Sequence, residues 1–277
     1  MKRVSAVALA ILLAGMMAAP TALAATLSGV VTDKTGAAVP GAFVSAKQPA
    51  RKMTVTVVSD GNGRYELGGL FAEAYTLRAA KIGFSPATGE VALTERGGTR
   101  DFNLGPTQEV ADQLPGNAWL AALPEGDFKA RFITGCTICH DGGSKIVRGP
   151  RDEDEWSAVI QLMREAVDIY SVIPDFDNAE LAAWLVEHRF GEKPAKITVP
   201  DPGLDATAGV VITEYDVGDS VTWAHDMVME PATGAAWVGD YTNDGLIRIE
   251  PRTGAQTVYK LPVKGGGMHT LHFDEAG

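Results

Sequence analysis

Two cysteines are all that this 277-residue chain contains, and they stand three positions apart with a histidine directly after the second: Cys136-Thr137-Ile138-Cys139-His140. Both thiols fall in one five-residue motif, so that motif is the reason for cysteine to be here at all. None is left over for a structural disulfide. A structural zinc site needs four ligands, and no second cysteine cluster exists to complete one. A redox Cys-x-x-Cys wants a thioredoxin-like βαβ setting, and no such pattern precedes it. The spacing fits the covalent attachment of a haem instead. Two thiols on one turn of helix can reach both vinyl groups along one porphyrin edge, and the adjacent imidazole then falls beneath the iron. Cys136 and Cys139 are therefore the candidate thioether residues and His140 the candidate proximal iron ligand. One covalent haem c is the expected cofactor. The tether would hold it even in a domain of fewer than about 80 residues, whose core alone is marginal.

The residues around the motif are helical in pattern. Asp127 to Ile133 reads as a helix leading into it. From Glu153 to Val167, Trp156, Val159, Ile160, Met163 and Val167 share one face at helical spacing. Asp177-Asn178-Ala179-Glu180 is a capping-box-like start. Leu181, Trp184, Leu185 and His188 line the following helix, which Gly191 is expected to end. Met163 is the candidate distal iron ligand, and Met/His ligation suits electron transfer. The same position also suits a packing methionine. His188 is the rival ligand, although a histidine at a helix C-terminus is commonly a dipole partner. An open or water-ligated iron is the third arrangement. The stretch Cys136 to Gly191, with Trp156-x-x-Val159-Ile160-x-x-Met163, resembles single-haem domains of the class I cytochrome c family. That resemblance implies a small all-α unit, a distal Met near position 163 and single-electron transfer.

Lys2 and Arg3, the apolar run Val7 to Met17 and Ala22-Leu23-Ala24 read as a secretory signal peptide over residues 1–25. A periplasmic location follows as an expectation. No other apolar run approaches the roughly 18 residues of a membrane helix, so no span is expected after cleavage. The formal net charge is −11. That balance argues against nucleic acid and anionic lipid surfaces as partners and favours a basic redox partner protein.

Residues 26–105 read as all-β. Leu27 to Val31, Phe43 to Ala46, Met53 to Val58, Arg64 to Leu67 and Tyr75 to Ala79 are short apolar runs between Gly- and Asp-rich turns. Gly29-Val30-Val31-x-Asp33, Pro40-Gly41-Ala42-x-Val44, Ser59-Asp60-x-x-Gly63-x-Tyr65, Leu70, Tyr75-x-Leu77 and Gly83-Phe84 resemble the carboxypeptidase regulatory-like domain. The resemblance implies a seven-stranded, transthyretin-like sandwich that serves as a structural or docking module without catalytic residues. Pro106 and Pro115 bound an expected linker over 106–115, and Pro194, Pro200 and Pro202 mark another over 193–208.

From residue 209 onward the chain repeats itself. A shift of 44 lays residues 212–233 on 256–277, with Tyr215 on Tyr259, His225 on His269 and Glu230 on Asp274. A period of about 40–45 in a β-rich segment signals propeller blades. Fewer than two blades are present, so the sequence reads as a C-terminally truncated, incomplete propeller, with a short β-appendage as the alternative. Trp223-Ala224-His225-Asp226 through Asp240-Tyr241, and Gly245-Leu246-Ile247-Arg248-Ile249-Glu250-Pro251, resemble a blade of the virginiamycin B lyase family. Lyases of that family open a cyclic depsipeptide with a divalent metal and a catalytic His. Those residues are expected from blades that are not present. His225 and His269 match the repeated blade histidine and are read first as packing residues, then as metal or substrate ligands.

The expected architecture is multidomain: an all-β sandwich, a small all-α cytochrome c over 116–192 and partial propeller blades over 209–277. The expected function is an exported c-type cytochrome module that transfers electrons, flanked by docking β domains. The propeller would take a small-molecule, carbohydrate or peptide ligand. No catalytic residue is assignable. The alternative is an enzyme whose active site lies in a complete propeller, lyase-like or feeding electrons to the haem. A binding scaffold with an inert haem is a third reading.

Overall fold

The computed structural model describes residues 25–137, 141–167, 177–192 and 209–274. Apart from Ala25, the expected leader lies outside them, as does the expected linker over 193–208.

Residues 25–106, joined by one later strand, form two facing sheets. The first has the order β4 (Arg64–Leu70), β1 (Ala25–Asp33), β9 (Phe102–Pro106), β6 (Phe84–Ser85), and β8 (Gly98–Thr99) also pairs with β1. The second runs β10 (Val211–Tyr215), β3 (Met53–Val58), β2 (Phe43–Gln48), β5 (Ala74–Ala80), β7 (Ala87–Ala92), antiparallel throughout. Alternation decides which side chains face inward: Tyr65, Leu67 and Leu70 from β4 and Tyr75, Leu77 and Ala79 from β5 are buried. Leu27, Val31, Val44, Leu67, Leu77 and Leu104 are wholly enclosed in the one core between the sheets. Burying each contributes about 1.5–3 kcal/mol.

The Ser59-Asp60-x-x-Gly63 motif is a hydrogen-bonded turn. Ser59 Oγ donates to the Val39 carbonyl at 2.8 Å and accepts from the Ala42 amide at 2.9 Å, all out of water. Asp60 Oδ1 accepts from the amides of Asn62 and Arg64, each at 2.8 Å. Gly63 has φ +73°, and a Cβ there would lie 2.4 Å from the Val31 carbonyl oxygen. Only glycine meets both demands.

The helical unit contains α1 (Gly116–Ala121), α2 (Asp127–Cys136), α3 (Lys145–Arg148), α4 (Glu153–Val167) and α5 (Asn178–Glu187). Leu123, Phe132, Trp156, Ile160, Leu181 and Leu185 meet in its core. The start of α4 is a reciprocal capping box: Asp152 Oδ1 accepts the Glu155 amide at 2.8 Å, and Glu155 Oε2 accepts the Asp152 amide at 3.0 Å. Asp177 caps α5, accepting from the Ala179 amide at 2.7 Å. Gly191 does not end that helix. Arg189 does, at φ +53°. The Phe190 amide donates to the Leu185 carbonyl and the Arg189 amide to the Val186 carbonyl, which is the Schellman pattern. Gly191 serves close approach instead: a Cβ there would meet the Arg148 carbonyl oxygen at 2.1 Å.

Residues 106–115 hold the sandwich to the helical unit. Gln113 accepts from the Gly83 amide at 3.0 Å and donates to the Phe84 carbonyl at 2.9 Å. Leu114 is buried in the helical core, and Ile82 of the sandwich packs against it. Asp112 pairs with Arg148 and, at 2.9 Å, with Lys145.

β11 (Ala224–Met229), β12 (Ala236–Asp240), β13 (Gly245–Ile249) and β14 (Gln256–Lys260) form a separate four-stranded antiparallel sheet in chain order. β10 lies apart from it, paired with β3. No helix among the described residues is long and apolar enough to cross a membrane.

Replacing Ser59 by Ala leaves the Ala42 amide and Val39 carbonyl without their partner. The expected cost is about 1–3 kcal/mol, read as a lower urea midpoint for the sandwich with an unchanged slope. An unaltered midpoint would show that the hydroxyl does not organise the turn.

Candidate functional site

Cys136 is the last residue of α2 and packs against the helical core. α2 is placed by Phe132, which is buried and meets Phe190 edge-on with centroids 4.9 Å apart. Phe128, one turn earlier, stacks on Trp184 of α5 at 5.8 Å. The first cysteine is thus carried to the end of a helix fixed against α5. Removing its sulfur from water pushes the Cys136 thiol up to about 11, because burial disfavours the charged thiolate. Cys139 and His140 lie outside the described residues.

The chain that leaves the motif is held closely. Asp141 Oδ1 accepts from the Gly143 amide at 2.9 Å, and the Ser144 amide donates to the Asp141 carbonyl at 2.9 Å. A Cβ on Gly116 would lie 2.1 Å from Asp141 Oδ1, and one on Gly143 would lie 2.9 Å from the Gly116 nitrogen. The turn following His140 is therefore seated on the start of α1, with Gly142 against Leu120.

On α4, Trp156 and Ile160 are buried, whereas Val159 and Met163 are half-buried. The expected apolar face is split: one part fills the core and the other is partly uncovered. The Val167 side chain lies outside the description. Arg164 fixes the helix by donating to Asn178 Oδ1 at 2.6 Å, at the start of α5. His188, the rival ligand, is the C-cap of α5 and meets Trp184 edge-on at 5.1 Å.

Two indole N–H groups, Trp119 Nε1 and Trp156 Nε1, are buried without an acceptor among the described residues. An orphaned donor costs about 1–3 kcal/mol. A haem brings apolar bulk and carboxylates, so the partly buried sulfur at a helix end, the partly uncovered α4 face and the spare donors fit that group. Trp119 carries no signal in the motif itself. Its burial beneath the Arg148 guanidinium, 4.7 Å from the ring centroid, comes from the tertiary packing. Among the described residues no cluster of three or more His, Cys, Asp or Glu could hold a metal ion.

The repeated histidines come together. The His225 and His269 ring centroids are 4.0 Å apart, and His225 Nδ1 lies 3.0 Å from the His269 carbonyl oxygen. Asp226 accepts the amides of Leu271 and Met227, each at 2.8 Å. Those donors hold its carboxyl below the usual carboxylate range. Trp223 and Tyr241 complete the aromatic group, with ring centroids 5.3 Å apart.

Residues 26–105 match the family model of the carboxypeptidase regulatory-like domain. A comparison with curated proteins finds no match. Among solved structures, the chain is similar to the Bacillus anthracis TIE protein at 16% identity, covering 30% of this chain and 16% of that one, with a TM-score of 0.25. It is similar to a type II cohesin-X-dockerin complex of Acetivibrio cellulolyticus at 17% identity, covering 30% and 58%, with a TM-score of 0.26. A third is 3-chlorocatechol 1,2-dioxygenase of Rhodococcus opacus at 14% identity, covering 30% and 60%, with a TM-score of 0.23. The chain spans less than two thirds of the length of each.

In haem-free chain carrying Cys139→Ser, the Cys136 thiol is expected to be about a hundredfold poorer in thiolate at neutral pH than an ordinary thiol. Maleimide labelling followed by mass spectrometry reads this. The raised value also couples to stability. The contribution is fully present below the unfolded value of 9.0 and is lost as pH rises towards about 11. Labelling at the rate of the urea-unfolded chain would contradict the burial.

Proposed function

We propose that this chain is an exported, periplasmic c-type cytochrome module that passes single electrons, with flanking β domains that dock partners. The observation that supports the reading is the sequence Cys136-Thr137-Ile138-Cys139-His140, whose first residue, Cys136, ends α2 and packs against the helical core. Cys136 and Cys139 would hold the haem as thioethers, His140 would be the proximal ligand and Met163 the distal one. When bound, the haem supplies a one-electron couple whose potential its axial ligands set. The protein's own part is to fix the sulfur through α2, to seat the exit turn on α1 and to exclude water with Trp119, Phe132, Trp156 and Phe190.

The C-terminal sheet supports a propeller-blade reading. Four antiparallel strands in chain order match the form of a blade. The repeated histidines meet, with His269 against His225. The second functional reading, an enzyme centred on a complete propeller, draws its support from that histidine pair and Asp226. Loss of a metal-dependent activity in His225→Ala and His269→Ala variants, with the fold retained, would favour it.

Export with the c-haem maturation machinery is expected to yield a haem-stained band on a denaturing gel and a sharp reduced α-band. Met163→Ala is expected to keep the stain and lose the long-wavelength sulfur–iron band of the oxidised protein. A chain that emerges without covalent haem would remove the proposal. The −11 charge further predicts that association with a basic redox partner slows as ionic strength rises, as stopped-flow measures. A salt-independent rate would refute electrostatic steering.

A further inference from the structure

The junction between sandwich and helical unit encloses a groove of about 490 Å³ with mostly apolar walls. Its floor is the outer face of the second sheet, where Phe43 and Ala80 are register partners and Arg78 faces Ser45 across the strands. Ile82, Pro86 and Leu114 complete its apolar lining. The wall bearing Leu114 is held there by Gln113, whose side chain bonds to both Gly83 and Phe84. The groove is therefore a built feature of the junction. Its size falls within the roughly 300–1,000 Å³ of small-molecule sites, which favour domain interfaces.

The charged groups decide what it would take. Asp112 at the rim is neutralised by Arg148 and Lys145. Lys81 is engaged by the Pro40 carbonyl. The Arg78 guanidinium has neither an ion pair nor a hydrogen bond among the described residues. The larger cleft, about 600 Å³ beside the C-terminal sheet, lacks this feature. There Lys52 donates to Gly218, Lys260 donates to Asn243 and Asp240 accepts from Asn243. In an acidic chain, an uncommitted planar cation over an apolar floor selects a carboxylate with an apolar tail.

We infer that this groove binds an amphiphilic monocarboxylate of fatty-acid type, its carboxylate on Arg78 and its tail between Phe43, Ala80 and Leu114. The site is independent of the haem and does not rest on the cytochrome reading.

Titration calorimetry of the full exported chain with decanoate, below its micelle concentration, is expected to show saturable binding of one molecule per chain. Decanol should bind about tenfold or more weakly, the least loss expected when a charge-assisted hydrogen bond is absent. Arg78→Gln should weaken decanoate by a similar factor and leave decanol unchanged. Ala80→Trp should abolish both while circular dichroism stays native. Equal affinities for decanoate and decanol would overturn the proposal without any variant, as would a wild-type chain that does not saturate with decanoate.

Discussion

A helical unit of fewer than about 80 residues cannot bury enough surface to be comfortably stable alone, and much of the molecule can be understood as a response to that shortage. Its core draws Leu114 from the segment ahead of it and Ile82 from the sandwich. Asp112 reaches from the same segment to Arg148, which lies over Trp119. Trp119 and Trp156 are still left with buried indole donors that have no acceptor among the described residues. A covalently tethered group packed against that core would supply the missing apolar contact and need no binding equilibrium to stay in place.

The sandwich has the opposite economy. Its core is continuous from Ala25 to Leu104, and its turns are closed by side-chain hydrogen bonds of their own. Its exposure is at the edges. An unpaired edge strand invites association with another chain, and here β10 covers the edge at β3 through five register pairs from Val211–Val57 to Tyr215–Met53. The Lys47–Asp216 ion pair at 2.8 Å and the hydrogen bond from the Asp216 amide to the Lys52 carbonyl extend the same seam. The C-terminal sheet is thereby connected to the sandwich by strand addition, a mode that depends on backbone geometry more than on side-chain identity.

That distinction explains what could be read from the chain. The sandwich strands were legible because alternation and glycine turns are local. The residues of the Ser59 to Tyr65 motif point to the turn they make, and β3 spans Met53–Val58 as its Thr/Val alternation indicates. The helices α2, α4 and α5 were legible from apolar spacing and from Asp177. The ends were harder. Gly191 is the residue that a sequence reader expects to stop α5, but Arg189 accepts the left-handed conformation because Phe190 and Leu185 are both buried and reward the turn. The stretch 106–115, rich in linker signals, is ordered by Gln113 and Leu114, whose partners are far away in sequence. Of the candidate site, the motif that contains Cys136 was legible, whereas the partial burial of Cys136 and the spare indoles were not. Both are consequences of which helices meet.

The repeat shows the same limit within one chain. Residues 212–215 and 256–259 are equivalent under the 44-residue shift, and all eight lie in strands. Their partners differ. Tyr259 sits in β14 beside β13 and stacks on Trp237 with centroids 5.3 Å apart. Tyr215 sits in β10 beside β3, packs against both the sandwich core and the C-terminal core, and donates to the Pro251 carbonyl at 2.5 Å. The shared pattern specifies an extended segment with a tyrosine at its end. Which sheet that segment joins is decided by the edge available to it, since strand preference is largely a matter of neighbours. The position after the tyrosine differs as well: Asp216 pairs with Lys47 of β2, whereas its equivalent under the shift is Lys260, the last residue of β14. The edge each segment meets, rather than the segment itself, separates the two copies.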